Sequence, residues 1–169
     1  MTLALYDTSI PALTLGLTNL LTILDKAAAH SDAKKIDPSV VAQTRLILDM
    51  HPLSRQVQMT CDTAKGTAAR LAGVEVPKHE DTETTLAQLK ARVEKTLLFI
   101  QSIQPAQLAG VESREIVLSF PSITLKFNGL DYVVKFALPN FYFHLTMTYA
   151  VLRANGVDVG KGDYLGAIQ

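Results

Sequence analysis

One cysteine, Cys61, is all the chain has, so it can close no disulfide within itself and nothing in it calls for an oxidising compartment. An excess of one charge is missing too: sixteen lysines and arginines balance sixteen aspartates and glutamates. Little counterion release is then to be gained on a nucleic acid, and little attraction to an anionic bilayer, so neither partner is expected. No apolar run reaches the roughly 18 residues that a membrane-spanning helix needs. The start, MTLALYDTSIPALTLGLTNLL, opens without Lys or Arg and carries Asp7, Pro11 and several threonines, which makes it a poor secretory signal. These absences together read as a cytoplasmic protein. There is no phosphate-cradling glycine loop, no Gly-x-Ser-x-Gly elbow and no Cys-x-x-Cys pair, which removes most common enzyme classes. What remains, 169 residues with 48% hydrophobic and 19% charged side chains, is globular in composition and fits one domain over 1–169.

Most of that length repeats with the period of a helix. Leu13, Leu17, Leu20, Leu24 and Ala27 predict a first amphipathic helix ending near His30, with Pro11 at its first turn or at a kink. His30 is expected in solvent near the helix end. Asp37-Pro38 start a short helix over Ser39 to Leu48, followed by a corner at Asp49-Met50-His51-Pro52. The stripe Leu53, Val57, Thr60, Cys61, Ala64, Ala68 and Leu71 then runs to Gly73; its small residues allow a neighbouring helix to come close. On the far side stand Arg55, Gln58, Asp62 and Lys65, where Asp62 and Lys65 read as an exposed i,i+3 ion pair worth about 0.2–0.5 kcal/mol. Asp81-Thr82-Glu83 opens the next helix, which buries Leu86, Leu89, Val93, Leu97 and Ile100 and keeps Lys90, Arg92, Glu94 and Lys95 in water until Pro105 ends it. His79, in the polar connection before that helix, is read as a bystander.

Between Pro105 and Leu138 the period shortens to two. Ile116, Leu118 and Phe120 alternate with Glu115, Val117 and Ser119, and Ile123, Leu125 and Phe127 alternate with Ser122, Thr124 and Lys126, which predicts two short strands around Pro121. Asn128-Gly129 reads as a tight turn. Asp131 to Ala137 is then either a third strand or a helical lead into the last helix, the helical option being preferred. That last helix spans Leu138 to Asn155, with Pro139 in its first turn and Gly156 just past its end. Tyr142, Thr146, Tyr149 and Arg153 form its outer stripe, and Phe141, His144, Met147, Thr148 and Val151 face inward. His144 is thus the one ionisable group on the inner face. The tail beyond Gly156 reads as loop, pinned by Tyr164 and Leu165.

Long helices with a small β excursion before the last one resemble the DinB/YfiT-like four-helix bundles. More specifically, Asp49-Met50, Pro52-Leu53, Arg55-Gln56-Val57-Gln58, Asp62, Ala64-Lys65-Gly66 and Arg70-Leu71-Ala72-Gly73 resemble a domain-of-unknown-function family assigned to that superfamily. So do Leu138-Pro139-Asn140-Phe141-Tyr142-Phe143-His144, Tyr149-Ala150-Val151-Leu152-Arg153, Asn155-Gly156 and the Gly-Lys…Leu-Gly tail. The resemblance implies a mainly α four-helix bundle with a two-stranded insertion, and carries no assigned activity. The wider superfamily includes metal-dependent enzymes, thiol transferases among them, whose metal is held by one His near the second helix and a His-x-x-x-His pair on the last. Matched residue by residue, His51 stands near the first ligand and His144 is one of the pair. One turn after His144, however, comes Thr148, and one turn before it Asn140. No cofactor is therefore expected; a divalent metal, if bound, would take His51, His144 and Asp49.

Three roles stay open for His144: a structural histidine bonded to a backbone carbonyl or to a hydroxyl such as Thr60 or Thr148, an acid/base or ligand-orienting group, and a metal ligand. The functional reading is a protein that binds a small hydrophobic molecule, with metal-free catalysis as its enzymatic form. Its pocket is placed between the second and last helices, lined by Gln56, Thr60, Phe141, His144, Met147 and Thr148. The alternatives are a noncatalytic homodimeric module and a metal-dependent transferase. A pocket onto which His144 opens favours the first, and full enclosure of the ring without a void favours the second.

Overall fold

The computed structural model describes residues 4–167; positions 1–3 and 168–169 of the expected span lie outside the described residues. Helix α1, Leu5–Lys34, buries the expected stripe Leu13, Leu17, Leu20, Leu24 and Ala27 completely. It is longer at both ends than periodicity predicts. Leu5, Ser9 and Ile10 join the buried face, so Pro11 sits inside the helix rather than in its first turn. Past His30, which is half-buried, the chain winds on until Lys35 adopts a left-handed φ of 54° and donates its N–H to the Asp32 and Ser31 carbonyls. Helix α2, Pro38–Gln43, starts where Asp37 accepts the Ser39 N–H at 2.8 Å, and stops well short of Leu48, which is exposed.

Helix α3, Leu53–Ala72, closes on Gly73 at φ 70°, as a helix ending in a left-handed residue should. Helix α4, Leu86–Gln101, does not open at Asp81. Its cap is Thr85, whose side chain accepts the Gln88 N–H at 3.3 Å while Gln88 Oε1 accepts the Thr85 N–H at 3.1 Å. The acidic residues before it are drawn to a cation in α4 instead.

After a single 3-10 turn at Pro105–Leu108, strands β1, Glu115–Ser119, and β2, Thr124–Asn128, pair antiparallel, with Ile116 opposite Phe127 and Leu118 opposite Leu125. The hairpin turns at Pro121-Ser122, where Phe120 and Ile123 exchange backbone bonds of 2.8 and 3.4 Å. Asn128-Gly129 is not a hairpin turn. The Asn128 side chain accepts the Asp131 N–H at 2.7 Å and so caps a helical turn, α5, Gly129–Asp131; a residue that nucleates turns also caps helices. From there Tyr132–Ala137 winds as a π-helix straight into α6, Leu138–Ala154, so the helical option holds and no third strand forms. The tail is not loop throughout: Lys161–Leu165 makes a short helix, α7. Tyr164 pins it, its hydroxyl 2.9 Å from Thr146 Oγ1 and its carbonyl accepting from Asn19 Nδ2 at 2.9 Å, whereas Leu165 is exposed.

The four long helices pack cyclically, α1 on α4, α4 on α3, α3 on α6 and α6 on α1, around one apolar core. The α1/α6 approach is close because Gly16 faces Phe141: a Cβ there would stand 2.5 Å from the ring's Cε1. Among the described residues no helix is long and apolar enough to cross a membrane.

Candidate functional site

The contact of α3 with α6 and with the π-helix that leads into it is crossed by three polar pairs that follow one another along the groove. His144 Nδ1 is 2.9 Å from Gln56 Oε1, Asn140 Nδ2 donates to Thr63 Oγ1 at 2.8 Å, and Arg70 Nη1 donates to the Tyr132 hydroxyl at 3.4 Å. Successive partners on α3 are seven residues apart, about two turns, so all three fall on one face of that helix. The hairpin closes over them. A cavity of about 330 Å3 results, walled by Arg55, Met59, Asp62, Thr63 and Arg70 of α3, by Leu118 and Phe120, by Tyr132 and Phe136 of the π-helix, and by Asn140 and His144. The wide π turn sets Tyr132 and Phe136 side by side, their rings 6.1 Å apart and nearly parallel, and both on the wall.

His144 is 6% exposed. Gln56 Nε2 donates to the His51 carbonyl at 3.4 Å, so Oε1 is the end that meets the imidazole and accepts from Nδ1. Nε2 of the ring then bears the lone pair. Burial, followed by the nearby His51 and Arg55, holds the imidazole below its ordinary pKa, so at neutral pH the ring is an uncharged base. Thr60 and Thr148 do not bond it. Thr60 Oγ1 donates to the Gln56 carbonyl at 2.8 Å and Thr148 Oγ1 to the His144 carbonyl at 3.0 Å, the usual way a helical threonine satisfies itself.

Of the six residues expected to line a pocket, His144 reaches the cavity wall and Gln56 stands behind it as its hydrogen-bond partner. Thr60, Phe141 and Thr148 are fully buried in the packing between helices, and Met147 is half-buried. Sequence reasoning missed Arg70, Tyr132, Phe136 and Asn140. Tyr132 and Phe136 were hidden by the strand-or-helix ambiguity of their segment, and Arg70 looked like an ordinary cation in the last turn of a helix.

Beside the cavity the charges read as solvated turn inward. Arg92 is 4% exposed and Lys65 7%, and Gln58 is buried with them. Arg92 Nη2 meets Asp62 at 2.8 Å and Asp81 at 3.0 Å, and its Nη1 meets Glu83 at 3.0 Å and the Glu80 carbonyl at 3.0 Å. Lys65 pairs with Asp62 at 2.9 Å, and Arg55 pairs with Asp81. The expected Asp62–Lys65 pair therefore exists, but as one edge of a network that clamps the connection before α4 onto α3. Burial opposes ionisation of Glu83, yet hydrogen bonds from Arg92 and Gln58 hold its carboxyl below the usual range. His79 is half-buried beside the network with Nδ1 unbonded, its pKa lowered by burial and by Lys65, Lys95 and Arg92.

A metal of the superfamily kind does not fit these residues. Asp49 and His51 are exposed, and Thr148 and Asn140 occupy the turns where a second imidazole would stand beside His144. Among the described residues no three His, Cys, Asp or Glu side chains group so as to hold a metal.

Comparisons with known proteins agree with one another. The model of the family described as "Domain of unknown function (DUF1993)" matches residues 5–165. A crystal structure of a DinB family member protein from Shewanella denitrificans superimposes with a TM-score of 0.88 at 43% identity, over 97% of this chain and 93% of that one. No curated protein matches the sequence.

Proposed function

We propose, for a chain that belongs to the DUF1993 family and has the DinB family fold, that it binds a small molecule in the cavity between α3 and α6 without the help of a metal. The observation that carries this reading is the buried His144, fixed by Gln56, on the wall of a 330 Å3 space. That volume is within the range of small-molecule sites, about 300–1,000 Å3, and its wall sets aromatic and aliphatic side chains beside polar groups that can fix a ligand's orientation. In an enzymatic form of the reading, His144 takes a proton at Nε2, a task that a neutral, buried imidazole performs without first losing one.

Native mass spectrometry of protein taken directly from cells tests the proposal. A small-molecule adduct in the wild type that disappears in His144→Ala, with the melting temperature nearly unchanged, is the expected result. No adduct, together with a fall of many degrees on the same substitution, would make His144 a structural residue. A dimeric module keeps one observation in its favour, the exposed Leu130, Val134 and Phe143, and light scattering of the purified chain separates the two.

A further inference from the structure

Of the three charged side chains on the cavity wall, Arg55, Asp62 and Arg70, the first two are matched. Arg55, Lys65 and Arg92 are paired with Asp62, Asp81 and Glu83, three cations with three anions in one connected network. Off the wall, on the side of the hairpin, Lys126 pairs with Glu115 and Lys135 with Asp131, and Arg114 is held by the Leu71 carbonyl at 2.9 Å. Arg70 is on the wall and, among the described residues, has no carboxylate within ion-pair distance; its hydrogen-bond partner is the neutral Tyr132 hydroxyl, at the long distance of 3.4 Å. A guanidinium stays charged at any physiological pH, and it presents a planar fork of donors matched to an oxyanion. Uncharged His144 adds nothing to the balance.

We infer, building on the cavity reading above, that the ligand is a small monocarboxylate with an apolar body, its carboxylate held by Arg70. One unmatched positive charge calls for one negative charge, which favours a carboxylate over a phosphate monoester with close to two. Phe136, Phe120 and Leu118 supply an apolar wall for the body of the molecule. Midway along, Asn140 has an amide N–H beyond the one it gives Thr63, and at the far end His144 Nε2 accepts from a hydroxyl or amine of the ligand. The groove thus reads a ligand by its two ends: an anion beside Arg70 and a donor beside His144.

A second position controls Arg70 without touching its charge. Gly66 lies under the guanidinium, and a Cβ there would collide with Arg70 Nη1. The colliding atom is the far end of a flexible side chain, so Gly66→Ala displaces it cheaply while gaining helix propensity. The guanidinium would move and the helix would not.

Calorimetric titration of the full chain with benzoate, 4-hydroxybenzoate, benzamide and phenyl phosphate tests the inference. Benzoate is expected to bind at least tenfold more tightly than the isosteric, uncharged benzamide, and phenyl phosphate no more tightly than benzoate. Arg70→Gln should bring benzoate down to the benzamide level, and Gly66→Ala should do the same without lowering the melting temperature. His144→Ala should leave benzoate and benzamide unchanged, since neither carries a donor at that end, and should weaken 4-hydroxybenzoate. Equal binding of benzoate and benzamide, with Arg70→Gln silent, would overturn the anion assignment and leave the cavity reading in place. Phenyl phosphate binding tenfold more tightly than benzoate would overturn the monoanion in favour of a phosphate. 4-Hydroxybenzoate binding that is sensitive to Arg70→Gln but indifferent to His144→Ala would support the anion site and overturn the donor contact at His144. Failure of the wild type to bind benzoate or benzamide at all would overturn this ligand assignment, while the adduct experiment above decides the cavity reading separately.

Discussion

Replacing Arg92 by methionine keeps the length of the side chain and removes the charge on which three carboxylates converge. The cost follows from what each carboxylate has left. Asp62 retains Lys65 and Asp81 retains Arg55, and both are partly open to water. Glu83 retains only the Gln58 amide, at 2.9 Å, and its side chain is 12% exposed. One nearly buried carboxylate is therefore orphaned, which places the loss near the lower end of the range for breaking a buried pair, about 3 kcal/mol. Against a typical stability of about 5–15 kcal/mol this is large, and with a urea dependence of about 2 kcal/mol per molar it moves the midpoint down by roughly 1.5 M. The pH dependence is the sharper test. In the wild type, the low pKa of Glu83 contributes stability that is present above the unfolded carboxylate value and is lost as pH falls through the folded one. Arg92→Met lacks that contribution, so its deficit should be greatest at neutral pH and shrink in acid, and Glu83→Gln in the same chain should recover much of it. Urea unfolding of the wild type, the single and the double variant between neutral and acidic pH decides. A deficit below about 1 kcal/mol at neutral pH, or one that does not change with pH, would refute the clamp.

Three further outcomes are expected. Gly16→Ala places a methyl 2.5 and 2.7 Å from ring carbons of the fully buried Phe141; overpacking of about 1–3 kcal/mol, less about 1 kcal/mol of helix propensity, should lower the melting temperature by a few degrees. Cys61 is fully buried, and burial pushes its thiol up to about 12 against the opposing pull of Thr96 and Arg92, so alkylation by iodoacetamide should follow the rate of global unfolding and not the reagent concentration. Because the His144 pKa is lowered on folding, the unfolded chain takes up the proton first: stability should hold above the ordinary imidazole value of 6.5 and fall as pH drops through it. The slope from this one group is at most about 1.4 kcal/mol per pH unit, and His144→Gln should remove it in a pH series of denaturation midpoints.

How far each part was legible in the sequence depends on how local its cause is. The end of α3 at Gly73 and of α6 before Gly156 could be read directly, because a left-handed residue stops a helix whatever surrounds it. The hairpin followed from alternation alone. His144 could be placed on the inner face from the spacing of α6, but its partner could not, since Gln56 is 88 positions away and glutamine carries no positional signal. Arg92 was misjudged for a related reason. A lone cation in an amphipathic helix belongs in water unless anions from elsewhere come to it, and Asp62, Asp81 and Glu83 arrive from α3 and from the connection before α4.

What the amino-acid order settled by itself was therefore the four long helices, their apolar stripes and the stops at Gly73 and Gly156, all of which rest on forces between neighbours in the chain. Only the packed structure decided which polar groups meet across α3 and α6, where the π-helix sets Tyr132 and Phe136, and that Arg70 alone among the cavity's charges lacks a counterion. Those outcomes depend on distances between residues far apart in sequence, which exist only once the helices have packed.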